Sequence, residues 1–244
     1  VTIRLILEIE PRDDAQVCVS GSELGYLCGV RRARRGELVE ILSHGTASLA
    51  KVEQVSAKAA VLRIVHPCYR VSPPLEVELA VSVPKRQLME DIVRFASELG
   101  VRTVTPLLLE RTVVEPGQGK LDRWRNVAQE SMRQCGRTEV LKVDEPMGLL
   151  AFLAQAAVRS SSRFVLHPEA QRRFPWRAAS AKGVCILVGP EGGLCEDELE
   201  TAVQAGFVPV GLGQTVLRIE TAAIAAAVLS AAAAGSWLED VDYV

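Results

Sequence analysis

The sequence predicts an α/β protein in which a small β-barrel precedes a largely parallel sheet. Three observations predict it. Residues 1–70 hold short apolar runs punctuated by Gly21, Gly25, Gly29, Gly36 and Gly45, with no long helical period. At His66–Pro74 the prolines Pro67, Pro73 and Pro74 interrupt both patterns, and beyond them strands alternate with helices. The stretch Ile186–Ala223 then holds two glycine loops, Gly189-Pro190-Glu191-Gly192-Gly193 and Gly211-Leu212-Gly213. Each follows a short apolar run and precedes a helical stretch, the arrangement that opens a small-molecule pocket at the ends of parallel strands. The expected domains are 1–70 and 74–244.

In order, Val1–Glu10 alternates loosely, Leu38–Leu42 is a short apolar run, and Ala47–Glu53 and Ala59–Val65 read as strands. A helical turn near Gly25–Arg32 would present Arg31, Arg32, Arg34 and Arg35 ahead of the strand after Gly36. In the second domain Leu75–Val83 is a strand. Arg86–Leu99 is a helix with Leu88, Ile92, Phe95, Ala96 and Leu99 on one face, capped by Gly100. Val101–Leu109 is the next strand, and Lys120–Cys135 a helix with the stripe Leu121, Trp124, Val127, Ala128, Met132 and Cys135. Glu139–Val143, Arg163–His167, Val184–Val188 and Phe207–Val210 read as strands. Gly148–Val158 reads as a helix, as does the stretch from Glu196 to its stop at Gly206. A last helix, Ala222–Ala234, takes Thr221 as its N-cap.

The 244 residues carry a net charge of −2, with bases gathered locally. Residues 31–35 contain four arginines, and residues 159–182 hold six bases (Arg159, Arg163, Arg172, Arg173, Arg177, Lys182) against the one acid Glu169. Basic clusters within an acidic whole suit docking to RNA with part of the surface, although each also reads as a solvated face. The six cysteines form no C-x-x-C pair, which speaks against a zinc site and a secreted disulfide framework and suggests mostly small buried hydrophobes. With no signal-peptide pattern and no apolar run long enough to span a bilayer, a cytoplasmic location without membrane attachment is expected.

The two glycine loops match neither a P-loop nor a dinucleotide turn. Glu191, Glu196, Asp197 and Glu198 crowd the place where a phosphate would sit, so a neutral or cationic ligand fits better. Gly192 is expected where backbone meets that ligand, so Gly192→Val should block binding. Arg218, set among Val216, Leu217 and Ile219, has no evident structural purpose unless it pairs with Glu220 or Glu191. On the Lys120–Cys135 helix, Arg123, Glu130, Gln134 and Arg137 recur on one face, which reads equally as a solvated surface or as a contact for RNA phosphates and a base edge.

GPEGG with its acidic helix start, then Leu212-Gly213 and Val216-Leu217-Arg218-Ile219-Glu220-Thr221-Ala222, resembles the C-terminal signature of SPOUT-class RNA methyltransferases, specifically the RsmE family. VPKRQLMEDIVRFASELGVRTVTPLLLERTV, which contains Arg111, and the Lys120–Arg137 block resemble that family's upstream blocks. GYLCGVRRARRGELVEIL resembles a segment of its PUA-like barrel, with Gly25 and Tyr26 where the family has histidines. The resemblance covers most of residues 84–224. It implies a PUA-like β-barrel, a SPOUT-type parallel sheet with a C-terminal trefoil knot, a homodimer, and methylation of N3 of a uridine in 16S ribosomal RNA. The small ribosomal subunit is then the partner, S-adenosyl-L-methionine the cofactor, and no metal is needed.

Under that resemblance Arg218 is the expected catalytic cation, with Glu191 or Glu220 as a possible base. Cofactor contacts fall on Leu166, His167, Gly189, Glu191, Gly192, Gly193, Leu212, Gly213, Val216, Leu217 and Thr221. RNA contacts fall on Arg31, Arg32, Arg34, Arg35, Arg111, Lys120, Arg123, Gln134 and Arg137. Another SPOUT enzyme acting on a tRNA ribose, or a non-catalytic RNA-binding dimer, are the alternatives. A nucleotide-phosphate enzyme is disfavoured by the acids around Gly192.

Overall fold

The computed structural model describes residues 2–10, 12–71, 75–159, 162–175 and 183–233. Its contacts divide the chain into two units, 1–74 with 132–140, and 75–131 with 141–244. The segment 132–140, which the sequence leaves in the second domain, thus belongs by contact to the first unit. No described helix is long and apolar enough to cross a membrane.

The first unit contains β1 (Ile3–Ile6), β2 (Gln16–Val19), α1 (Gly21–Leu24), a π-helical turn (Gly25–Val30), β3 (Leu38–Ser43), β4 (Thr46–Val55) and β5 (Ala60–Val71). They form a sheet of order β1-β3-β4-β5-β2, with β1 parallel to β3 and the other pairs antiparallel. Described pairings run from β1 to β2 without joining them, so what is seen of the expected barrel is a five-stranded sheet. A hairpin turn joins β3 to β4 because His44 and Gly45 take φ of 45° and 79°, the left-handed conformations a two-residue loop needs. Leu5, Leu27, Ile41, Leu62 and Ile64 fill the core.

Pro67 does not end a strand. β5 passes through it in an irregular stretch of the ladder between the Leu49–His66 and Ala47–Arg70 pairs, where Ser48 Oγ donates to the Pro67 carbonyl at 2.5 Å. From segment 132–140, Met132 packs with Leu42 and Ala47, and Gly136 (φ 77°) ends the helix that contains it. Arg4 donates to the carbonyls of Gln134 and Arg133 at 2.7 and 3.1 Å, satisfying acceptors that a helix end leaves open. The buried Arg133 donates to Glu23 Oε1 at 2.5 Å, its guanidinium 4.2 Å from the Tyr26 ring centre.

The second unit contains β6 (Leu75–Ser82), α2 (Leu88–Glu98), β7 (Val101–Leu108), α3 (Gln118–Cys135, whose last turn belongs to the first unit), β8 (Lys142–Val143), β9 (Met147–Gly148) and α4 (Leu149–Arg159). There follow β10 (Ser162–Leu166), β11 (Val184–Val188), α5 (Glu196–Gln204), β12 (Val208–Val210) and α6 (Ile219–Ala233). The sheet runs β12-β10-β11-β6-β7-β8, with β9 also on β7, and every described pairing is parallel. Side-chain alternation supplies two cores. Leu79, Val81 and Ile186 pack with Ile92, Trp124 and Ala226, whereas Ala80, Leu107 and Leu187 pack with Phe152 and Phe207.

Several expectations are corrected. Phe95 lies off the buried face of α2, 41% exposed, with the Arg94 guanidinium 5.0 Å from its ring. Only Cys185 of the six cysteines is fully buried, and Cys135 is exposed at the end of the α3 stripe. The last helix begins at Ile219, so Thr221 lies inside its first turn and not at the N-cap. Ala234 lies outside the described residues.

Candidate active site

The sheet order creates the site. The chain reaches β11 after β10, yet β11 lies between β10 and β6, so the loops after β10, β11 and β12 meet at one end of the sheet. They enclose a cavity of about 320 Å³, within the size range of small-molecule sites. Its floor is the strand ends Leu166, Val188 and Val210, one wall is Gly189–Leu194, and the other runs from Leu212 through Thr215 to Ala222.

Of the predicted cofactor contacts, Leu166, His167, Gly189, Glu191, Gly193, Leu212, Gly213, Val216 and Leu217 line this cavity, as does Arg218. Gly192, Glu220 and Thr221 do not. Gly192 faces away: a Cβ there would lie 3.4 Å from Arg111 Cδ, so Gly192→Val would strike Arg111 and not a ligand. On α6, Ile219 and Ala222 share the face that lines the cavity, and the helical period turns Glu220 and Thr221 from it. One Glu220 carboxylate oxygen is buried without a hydrogen-bond partner among the described residues, and Thr221 is exposed. Sequence reasoning missed Pro168, Val188, Pro190, Leu194, Val210, Thr215, Ile219 and Ala222 as lining residues. Leu194, the apolar residue after the paired glycines, carried the clearest signal.

The first wall is tightly held. Pro190 accepts the Gly193 N–H at 2.8 Å, closing a turn, and Gly193 takes φ 74°. A Cβ on Gly189 would lie 3.1 Å from Leu194 Cγ and 3.3 Å from Leu194 N, so only glycine fits there without moving Leu194. Glu191 Oε1 accepts the Lys85 N–H at 3.1 Å. Glu198 accepts the Cys195 N–H at 3.1 Å and the Glu110 N–H at 2.7 Å. Its carboxylate thus adds negative charge at the start of α5, which disfavours a phosphate at that helix end. The second wall has one cation. Arg218 is exposed, and among the described residues no hydrogen bond or ion pair engages its guanidinium. It pairs with neither Glu220 nor Glu191.

The predicted RNA contacts fall into two groups. In the first unit Arg32, Arg34 and Arg35 are exposed and Arg31 half-buried, all in the loop between the π-helical turn and β3. In the same unit Gln134 is exposed at the helix end. Arg137 follows Gly136 beyond the helix, so it does not share the helical face of Arg123. Burial lowers the Arg137 pKa from its ordinary value, against the raising effect of Cys135 and Glu139. In the second unit Lys120 is exposed, Arg123 pairs with Glu90 at 2.8 Å, and Arg111 donates to the Gly192 carbonyl at 2.7 Å. Arg177 and Lys182 of the basic stretch lie outside the described residues.

A family profile of the RNA methyltransferase domain matches residues 71–231. A ribosomal RNA small subunit methyltransferase E from Synechocystis is 30% identical over 239 residues, covering 90% of this chain and 74% of the relative. The same-named protein from Mycobacterium tuberculosis is 34% identical over 242 residues, covering 93% and 90%. Among solved structures, a putative methyltransferase from Legionella pneumophila in complex with bound cofactor SAM is 30% identical. It superposes with a TM-score of 0.84, covering 95% of this chain and 98% of the other. A ribosomal RNA small subunit methyltransferase E from Neisseria gonorrhoeae bound to S-adenosyl methionine is 25% identical with a TM-score of 0.87, covering 97% and 98%.

Proposed function

The chain belongs to the RsmE family of ribosomal RNA small subunit methyltransferases, and on that premise we propose that it methylates N3 of a uridine in 16S ribosomal RNA, with S-adenosyl-L-methionine bound between the two glycine loops. The carrying observation is the cavity itself: largely apolar, walled by main chain at Gly189, Gly193 and Gly213, and set beside a helix start already neutralised by Glu198. Such a site accepts a ligand with a cationic centre and no phosphate. The same walls would hold the adenosine against Leu166, Leu212 and Leu217, with Glu191 the nearest lining carboxylate for a positive charge. When bound, the sulfonium supplies the methyl group that becomes bonded to N3 as the sulfur–methyl bond breaks.

The protein's own residues orient and stabilise. Uracil N3 must lose its proton as it attacks, and negative charge then spreads to O2 and O4. Arg218, with its guanidinium unengaged at the cavity wall, is suited to stabilise that charge. Glu191 lines the cavity and is the better candidate of the two acids to take the proton, although one of its oxygens already accepts the Lys85 N–H. Glu220, turned away from the cavity, is set aside.

The finer architecture belongs to the same reading. A trefoil knot is supported by the chain path, since α6 leaves edge strand β12 and packs on β6, β11 and α2 at the middle of the sheet. A PUA-like role for the first unit is supported by its five-stranded sheet and the exposed arginines at 32, 34 and 35. A homodimer and a cytoplasmic location are part of the same proposal, supported by the family and its ribosomal substrate. Titration calorimetry with S-adenosyl-L-methionine tests the cavity assignment. Saturable binding is expected, and no binding at about 1 mM ligand, equivalent to about 4 kcal/mol, would remove the cofactor from this cavity.

A further inference from the structure

Two arginines outside the cavity repeat one device. Arg111, in the loop after β7, lays its stem along Gly192, Cδ lying 3.4 Å from where a Cβ would stand, and donates from Nη1 to the Gly192 carbonyl at 2.7 Å. Arg173, in the loop after β10, passes Gly211, Nη1 lying 3.5 Å from where a Cβ would stand, and donates to the Gly213 carbonyl. Each glycine loop therefore has one glycine against which an arginine packs and a carbonyl that its guanidinium holds, the Arg111 Nη1 also reaching the Leu194 carbonyl at 3.5 Å.

Both arginines are themselves held. Thr112 Oγ1 accepts the Leu109 N–H at 2.8 Å and lies 2.9 Å from the buried Ser82 hydroxyl, fixing the loop that carries Arg111. Phe174, beside Arg173, is buried against Phe164 with ring centres 5.2 Å apart. Gly211 donates to the Arg172 carbonyl at 2.8 Å and accepts from the Phe174 N–H at 3.0 Å. A carbonyl in an exposed turn can bond to water or to a side chain. A charged N–H donor from an anchored loop is the stronger partner and fixes where the turn stands.

We propose that Arg111 and Arg173 are positioning residues that hold the two glycine loops in their ligand-ready form, and that their guanidinium geometry is what matters, not their charge toward RNA. This rests on reading the cavity as the cofactor site. It departs from the sequence expectation, which listed Arg111 as an RNA contact and placed Arg173 in a basic stretch suited to docking RNA. Gly192 and Gly211 mark where the two arginine side chains pass, each at ordinary contact distance from the place of a Cβ.

Lysine substitutions separate the two readings, because lysine keeps the charge that attracts phosphate but loses the planar fork. The experiment compares wild type with R111K, R111A, R173K and R173A. Hydrogen exchange without ligand reports the loops directly. Faster exchange at 189–195 in the Arg111 variants and at 211–215 in the Arg173 variants is expected, each confined to its own loop. Calorimetry should give affinity for S-adenosyl-L-methionine about tenfold weaker in lysine and alanine variants alike, while the salt dependence of RNA binding stays that of wild type. Unchanged exchange would overturn the proposal. So would lysine variants with wild-type affinity, or alanine variants whose salt slope falls by about one counterion. If wild type fails to bind the cofactor, the cavity assignment fails, and the exchange data still decide whether the arginines fasten the loops.

Discussion

The two walls of the cavity are built from similar sequence and held differently. The Gly189–Leu194 wall is bound from three directions, by the Lys85 N–H, by Arg111 and, through the α5 start, by the Glu110 N–H. The other wall is fastened as far as Gly213. Beyond it Gln214, Thr215 and Val216 are exposed, Val216 at 80%, and Arg218 has no partner among the described residues. The first wall is shaped in advance of any ligand. The second carries Arg218, proposed above as the catalytic cation, on its less restrained part, exposed to solvent.

The largest effect should come from the open wall. Arg218→Ala is expected to lower turnover about 10²–10³-fold, the usual loss for one donor to a developing oxyanion, while cofactor affinity stays within about twofold. Wild-type turnover in single-turnover assays would remove Arg218 from the chemistry and with it the division of labour between the walls. Next, Gly189→Val should weaken cofactor binding about tenfold or more, because its Cβ displaces Leu194, a lining residue. Calorimetry reads this directly, and undiminished affinity would mean that the first wall is not preformed.

Smaller effects sharpen the contrast. Gly193→Ala meets open space but must hold φ 74°, so about 1 kcal/mol of stability should be lost in urea unfolding. A cost near zero would show that the turn relaxes. Gly192→Ala places its methyl at ordinary contact distance from Arg111, so cofactor affinity should change less than about twofold. A large loss there would return Gly192 to the cavity side.

The parallel sheet was legible because apolar runs, capping glycines and helical stripes are local signals, and Val184–Val188 and the Gly206 stop stand as read. The acidic charge at the start of α5 was legible in the sequence, although the contact of Glu198 with the Cys195 N–H needed coordinates. What sequence could not supply were directions and distant partners. Gly192 and Arg111 are 81 positions apart, and nothing local says which side of a turn a glycine faces. β2 escaped notice because Gln16–Val19 is short and only Val19 is fully buried. Pro67 misled because proline usually ends a strand, whereas here it falls where the ladder needs no N–H.

The most direct test is in vitro methylation of small ribosomal subunits from a strain lacking this chain, with labelled S-adenosyl-L-methionine, followed by nuclease digestion and mass spectrometry of the nucleosides. Label is expected in N3-methyluridine at one position of 16S ribosomal RNA, lost with Arg218→Ala. Label in a ribose-methylated nucleoside, or no label in either free RNA or subunits, would contradict it.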